Sequence, residues 1–162
     1  MMERGQILRL VGVITAVCLL GTAVVLVISR LIWGTALNEP TTIEVQIDAP
    51  EQVTVNEPFA VTIQVTSLIT SSQLLHSIDL DTDYLENVRL SGSAPAYQAV
   101  QSLPLTHFAS YRFETEIPAK NSRAIELMFV GETVGEFSGV VDICLEDGTL
   151  CLAQPLQTKI VE

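Results

Sequence analysis

The fold is decided by a stretch of strict alternation, Phe59-Ala60-Val61-Thr62-Ile63-Gln64-Val65-Thr66. Large apolar side chains occupy every odd position, while small or polar ones occupy every even position. An extended strand of this sequence is therefore apolar on one face only. The same period of two occurs upstream, where Ile43, Val45 and Ile47 alternate with polar residues. Both stretches predict half-buried strands.

Similar strand signals continue along the chain. Further strands are predicted at 75–81, 88–91, 108–114, 124–130, 135–145 and 150–161, with turn residues between them. No segment after Thr41 sustains an apolar 3.6-residue repeat for three turns. Seven or eight strands without crossover helices exclude a parallel α/β sheet. They predict a mainly β fold, an antiparallel two-sheet sandwich over residues 43–162.

Two stretches resemble the opening and closing strands of bacterial immunoglobulin-like or fibronectin-like envelope domains. They are Ala49-Pro50-Glu51-Gln52-Val53-Thr54-Val55-Asn56-Glu57-Pro58-Phe59-Ala60-Val61 and Gly135-Glu136-Phe137-Ser138-Gly139-Val140-Val141-Asp142. The resemblance implies an immunoglobulin-like sandwich and carries no functional residues over. The Cys…Trp…Cys core of true immunoglobulin domains is absent, because the only tryptophan is Trp33.

A hairpin is predicted near the C-terminus. Asp147-Gly148 is a preferred centre for a two-residue type I′ turn, and it would set Cys144 opposite Cys151. Opposed residues of an antiparallel pair are close enough for a disulfide, although a two-residue turn makes this pair the wider, hydrogen-bonded type. We therefore predict a disulfide on the outer face, with Val141, Ile143 and Leu145 on the core face. A disulfide also indicates an oxidising compartment.

The N-terminal part has a different character. Residues 10–29 carry no charged side chain, and at 1.5 Å per residue they span about 30 Å as a helix, the thickness of the hydrocarbon core of a bilayer. We predict a cytoplasmic stub and single transmembrane helix within residues 1–36 (core 10–33), a linker at 37–42 and an extracytoplasmic domain at 43–162. The run is longer than the apolar region of a typical signal peptide, which is the alternative.

Flanking arginines orient the predicted helix. Arg4 and Arg9 precede it, whereas Arg30 follows it, so the N-terminus is predicted in the cytoplasm and the C-terminal domain outside the cell membrane. Gly12, Ala16 and Ala23 share a face of small residues on which another helix could pack, although such residues are common in any membrane helix. The expected partners are the lipid bilayer and other transmembrane subunits.

Charge distinguishes the outer domain from the anchor. After residue 37 the chain has 18 acidic and five basic residues. A surface of this sign repels nucleic acid and anionic lipid, so no nucleic-acid partner is expected.

The densest acidic cluster is Asp79, Asp81 and Asp83 with Glu86 shortly after. Carboxylates at alternate positions can converge on Ca²⁺, so these four residues are the candidate metal ligands. The cluster departs from an EF-hand loop, because Tyr84 stands where the glycine belongs. A solvated turn is the competing interpretation, and no other cofactor is expected.

Catalytic signals are absent from the sequence. The chain contains two histidines, His76 and His107, and no Gly-x-Ser-x-Gly or phosphate-loop motif. We therefore expect a protein that is not an enzyme and has no catalytic residues.

Apolar residues also occur in two predicted loops, 68–75 and Leu103-Pro104-Leu105. Such residues either contact a partner or tuck under an end of the sandwich, and we expect the second. The whole chain is predicted to be a non-enzymatic accessory subunit of a larger membrane complex, with its sandwich docked on the outer face. An independent, membrane-anchored envelope module that binds a protein, glycan or metal is the alternative.

Overall fold

The computed structural model describes residues 41–103, 105–146 and 148–162. This part of the chain forms ten strands and one short helix. In chain order these are β1 (Ile43–Asp48), β2 (Gln52–Thr54), β3 (Pro58–Ser67), β4 (Gln73–Asp81), α1 (Thr82–Leu85), β5 (Val88–Ala94), β6 (Ala99–Leu103), β7 (Phe108–Ile117), β8 (Ser122–Gly131), β9 (Gly135–Leu145) and β10 (Leu150–Val161).

The strands form two sheets. One sheet has the order β1-β3-β8-β5, and the other has the order β2-β10-β9-β4-β7-β6. All pairings are antiparallel except that of β2 with β10, which is parallel. The chain crosses from the first sheet to the second between Asp48 and Gln52, so its first two strands belong to different sheets.

The sandwich has two ends, which hold different elements. The near end is where the described chain begins: the Leu68 amide donates to the Thr42 carbonyl there, and the Glu146 amide donates to the Leu74 carbonyl. The far end holds α1, whose Thr82 amide donates to the carbonyl of His107 in the β6–β7 loop. The final strand runs from the near end to the far end, where Val161 accepts a hydrogen bond from Val55.

The core lies between the two sheets. Its members are the inward-facing apolar residues of the alternating strands, including Val61, Ile63, Val65, Ile125, Leu127, Phe129, Val141, Ile143 and Leu145, each at most 2% exposed. Phe129 stacks on Phe59 at a ring-centroid distance of 5.7 Å and meets the ring of Tyr84 edge-on at 6.1 Å. Burial of these side chains is the main favourable term for the fold.

Tyr84 closes the core at the far end. Its hydroxyl and that of Thr158 are hydrogen-bonded at 2.7 Å, so the buried polar groups satisfy each other. Burial raises the pKa of the Tyr84 hydroxyl, while this hydrogen bond lowers it by less. The backbone of Gly139 passes against the ring, and a Cβ at that position would stand 2.7 Å from the Cβ of Tyr84. Glycine is therefore required for this close approach.

The sandwich prediction is confirmed: the described chain is mainly β and has two sheets. All eight predicted strands are present. Three elements were not predicted, namely β2, β6 and α1. The expectation of purely antiparallel sheets is wrong for β2, because the crossing after Asp48 brings it alongside β10 in the same direction.

The predicted helix core at 10–33, the stub and most of the linker lie outside the described residues, as do Gly12, Ala16 and Ala23. Among residues 41–103, 105–146 and 148–162, no helix is long and apolar enough to span a bilayer.

Candidate functional site

The disulfide prediction is confirmed. Cys144 and Cys151 are bonded and face each other across β9 and β10, with Cα atoms 4.0 Å apart. That spacing belongs to the narrower, non-hydrogen-bonded type of pair, so the prediction of the wider type is wrong. The ladder ends at Leu145 and Leu150, so the loop has four residues where a two-residue turn was predicted. Hydrogen-bonded and non-hydrogen-bonded pairs alternate along the ladder, so ending it one pair earlier makes Cys144 and Cys151 a non-hydrogen-bonded pair. Asp147 lies outside the described residues.

The two faces of the hairpin are as predicted. Val141, Ile143 and Leu145 point into the core. Cys144 is on the opposite face yet is only 1% exposed, because neighbouring side chains cover it. The disulfide therefore sits within a polar layer on the outer face of the six-stranded sheet.

Two carboxylates lie next to the disulfide in this layer. Asp79 on β4 is the cross-strand neighbour of Asp142 on β9, and its second oxygen lies 3.7 Å from the Cys144 sulfur. Ser110 on β7 donates a hydrogen bond of 2.6 Å to Asp79. Burial raises the pKa of the Asp142 carboxyl above its ordinary value, and the Asp79 carboxylate raises it further.

A bulge shapes the layer toward the near end. The register of β4 shifts between Leu75 and Ser77 against both neighbours. Against β9 the extra residue is His76 on β4, whereas against β7 the extra residue lies on β7, where Phe113 and Glu114 are opposite His76. The imidazole Nδ1 of His76 lies 3.5 Å from a carboxylate oxygen of Glu114, which Arg112 approaches to 3.9 Å. These polar groups are engaged with one another, which is typical of a structural layer.

The four candidate calcium ligands are placed in separate roles. Asp79 accepts from Ser110, and Asp81 caps α1 by accepting from the Asp83 amide at 2.9 Å. Glu86 is the C-terminal cap of the same helix. In the described part of the chain, no three His, Cys, Asp or Glu side chains are arranged to hold a metal ion. The cluster is thus largely explained by helix capping.

The sheet edges differ in how they are protected. β1 carries Glu44 and Asp48, β2 is three residues long, and β5 is interrupted by a register shift between Leu90 and Gly92. Charge, shortness and irregularity are the usual devices that prevent another strand from adding to an edge. Each of these three edges has one of them.

β6, the remaining edge of the described sheets, has none of these devices. It pairs with β7 without a register shift, and its five residues are Ala99-Val100-Gln101-Ser102-Leu103. The first four of these side chains are exposed, and Val100 is 52% exposed. The strand therefore presents uncharged side chains and a backbone edge of regular register to solvent.

The exposure continues into the loop after β6. Leu105 is 97% exposed, so the expectation that this loop tucks its apolar residues under the sandwich is wrong for Leu105. Pro104 lies outside the described residues. In the other loop, Leu68 is 42% exposed. A sequence signal could have drawn attention to this edge: no Asp, Glu, Lys or Arg occurs between Arg89 and Arg112, in an otherwise strongly acidic domain.

Comparison with known proteins supports the fold alone. No protein-family model matches the sequence, and no curated protein matches it. Among solved structures, AvmM, which catalyses macrocyclization in alchivemycin A biosynthesis, superposes with a TM-score of 0.52 at 12% identity, covering 76% of this chain and 90% of its own. The cupredoxin domain of amoB from Nitrosocaldus yellowstonii matches with a TM-score of 0.49 at 8% identity, covering 76% of this chain and 90% of its own. The CARDB domain of PF1109 from Pyrococcus furiosus matches with a TM-score of 0.45 at 10% identity, covering 74% of this chain and 94% of its own.

Those identities are too low to transfer a function. A β-sandwich hosts many unrelated activities, so a function must be argued from the surface of this chain. The class defined here is a β-sandwich domain with an internal disulfide, a polar layer around it and one unprotected sheet edge.

Proposed function

We propose that this chain is a non-enzymatic, membrane-anchored accessory subunit whose β-sandwich docks on another protein of a membrane complex. The anchor part of the proposal rests on the charge-free run at 10–29 and the arginines at its ends. In this arrangement the sandwich lies on the non-cytoplasmic side of the membrane.

The observation that carries the docking role is the β6 edge. An uncharged, exposed and regular edge strand is a hazard for aggregation, and the other three edges are protected against it. The proposal explains the exception, because an edge that is covered in the assembled complex needs no protection. The polar layer around the disulfide supports a structural role for the rest of the sheet, since Ser110 donates to Asp79 and His76 lies beside Glu114.

The test is extraction of the full-length chain from its native membrane with a mild detergent, followed by native mass measurement. Co-purification of other membrane subunits in fixed stoichiometry is expected. A lone species of 17.6 kDa would instead support an independent envelope binding module and overturn the subunit role. Recovery of a water-soluble form that starts near residue 37 would overturn the anchor.

A further inference from the structure

We infer that the partner docks by adding an extended β-strand to the free edge of β6, and that this partner strand is uncharged where it pairs and basic at its flanks. The inference rests on the docking function proposed above and specifies the chemistry of the partner. It concerns Ala99–Leu103 together with the exposed Leu105.

Backbone geometry makes a strand the fitting occupant. β6 is the last strand of its sheet, so one side of its backbone faces no strand among the described residues. Such an edge presents a regular row of N–H and C=O groups, which another extended chain can pair directly. Its exposed side chains lie on both faces of the sheet, so a flat apolar partner surface would cover only one of the two faces.

The distribution of charge around β6 restricts which residues the partner strand can carry. The stretch between Arg89 and Arg112 offers no ion-pair partner, so a charged side chain placed opposite β6 would be desolvated without compensation. The nearest cation on the adjacent strand, Arg112, is directed at Glu114. The domain as a whole is strongly acidic, with 18 acidic and five basic residues after residue 37, and this net charge favours positive charges at the flanks of the partner strand.

The same net charge disfavours a second copy of this chain. Two domains that each carry 18 acidic and five basic residues would be brought edge to edge, and their like charges would repel. The exposed Leu105 lies beside the end of β6 and can cover one end of an added strand. A partner of opposite charge is therefore the favoured occupant.

The experiment uses the full-length chain and two synthetic peptides with the same alternating Thr-Val core, one flanked by lysines and the other by glutamates. Hydrogen exchange is followed at each sheet edge while the peptides are titrated. The lysine-flanked peptide is expected to slow exchange at Ala99–Leu103 at least tenfold and to leave β1 and β5 unchanged. The glutamate-flanked peptide is expected to bind at least tenfold more weakly.

Ser102 provides matched variants, because its side chain is exposed. Ser102→Lys should weaken binding of the lysine-flanked peptide at least tenfold, whereas the uncharged variant Ser102→Thr should bind it within threefold of the unmodified chain. Unchanged melting temperatures show that both variants are folded.

Three outcomes would overturn the inference: no protection of β6 by the lysine-flanked peptide at millimolar concentration, protection at another edge, or a doubled native mass that Ser102→Lys abolishes. The third would identify a second copy as the occupant. Failure of the inference is distinguishable from failure of the subunit role. If membrane subunits still co-purify with Ser102→Lys, docking stands and the β6 edge is not its site.

Discussion

The β9–β10 hairpin and the β6 strand belong to one sheet but serve it differently. The hairpin has the two longest described strands, is closed by the Cys144–Cys151 disulfide and buries its inner face. β6 has five residues, pairs on one side and leaves most of its side chains in solvent. The hairpin thus stabilises the sheet, whereas β6 is the strand that we propose for recognition. Substitutions should therefore affect stability without recognition, or recognition without stability, and the following predictions test that separation.

The largest effect is expected in the core. Phe129→Ala removes a fully buried ring that contacts Phe59 and Tyr84, and it should lower the free energy of unfolding by about 3–5 kcal/mol. Denaturant unfolding of the full-length chain measures the loss. Val100→Ala on β6 is the control and should change stability by less than about 0.5 kcal/mol. Similar losses in the two variants would erase the distinction between core and edge.

Reduction of the disulfide should have the next largest effect. The bond closes a short loop, for which chain entropy alone gives about 2–3 kcal/mol. Unfolding with and without reductant measures the difference. The double variant Cys144→Ser/Cys151→Ser retains Cys18, the third cysteine of the sequence. Its stability should be insensitive to reductant, which controls for any effect of reductant on Cys18. If reduction left the unfolding midpoint unchanged, the hairpin would not be the stabilising element.

Two glycines provide a smaller, paired test. Gly139→Ala on β9 places a Cβ 2.7 Å from that of Tyr84 and should cost about 1–2 kcal/mol, because the surrounding backbone must shift. Gly92→Ala on the edge strand β5 meets nothing within 4 Å and should be neutral or stabilise by up to about 1 kcal/mol. Thermal unfolding compares the two variants. Equal melting temperatures would contradict the close packing at Gly139.

The smallest effect concerns pH. Because the folded-state pKa of Asp142 is raised above its ordinary value of 3.8, the ionised carboxylate destabilises the folded chain. This penalty is absent below the ordinary pKa and grows as pH rises through the folded value. Asp142→Asn should therefore be more stable at neutral pH by less than about 1 kcal/mol, with the advantage vanishing in acid.

The pH dependence has its own control. Asp79→Asn removes the neighbouring charge that raises the Asp142 pKa, so the window in which stability changes should move to lower pH. Unfolding measured at several pH values checks both variants. A gain in Asp142→Asn that persists unchanged in acid would point to a cause other than the carboxylate charge.

The sequence predicted the features that depend on a single strand or a single hairpin. Phe59 to Thr66 alternates because one face is buried, and the paired cysteines follow from local hairpin geometry. β6 escaped prediction because its side chains are exposed on both faces, so burial imposes no period on them. β2 escaped because its parallel partner, β10, is about a hundred residues away in sequence.

The candidate site was predictable only in part. Cys144 and Cys151 were found, but the link from Asp79 to Ser110 and Asp142 depends on three strands that only the folded sheet aligns. The acidic residues from Asp79 to Glu86 looked like one cluster because they are close in sequence. A helix begins at Thr82 and turns the later members away from the strand that holds the first.

The crossing between β1 and β2 has a mechanical consequence. The described chain begins at the near end, its last strand finishes at the far end, and β2 runs parallel to that strand. A pull at residue 41 against a hold on the C-terminus therefore acts along the strands, and the hydrogen bonds of the terminal pair share the load at once. A sheet loaded in shear resists rupture better than one from which a strand is peeled away bond by bond. A domain with this connectivity is therefore suited to tension along its strands.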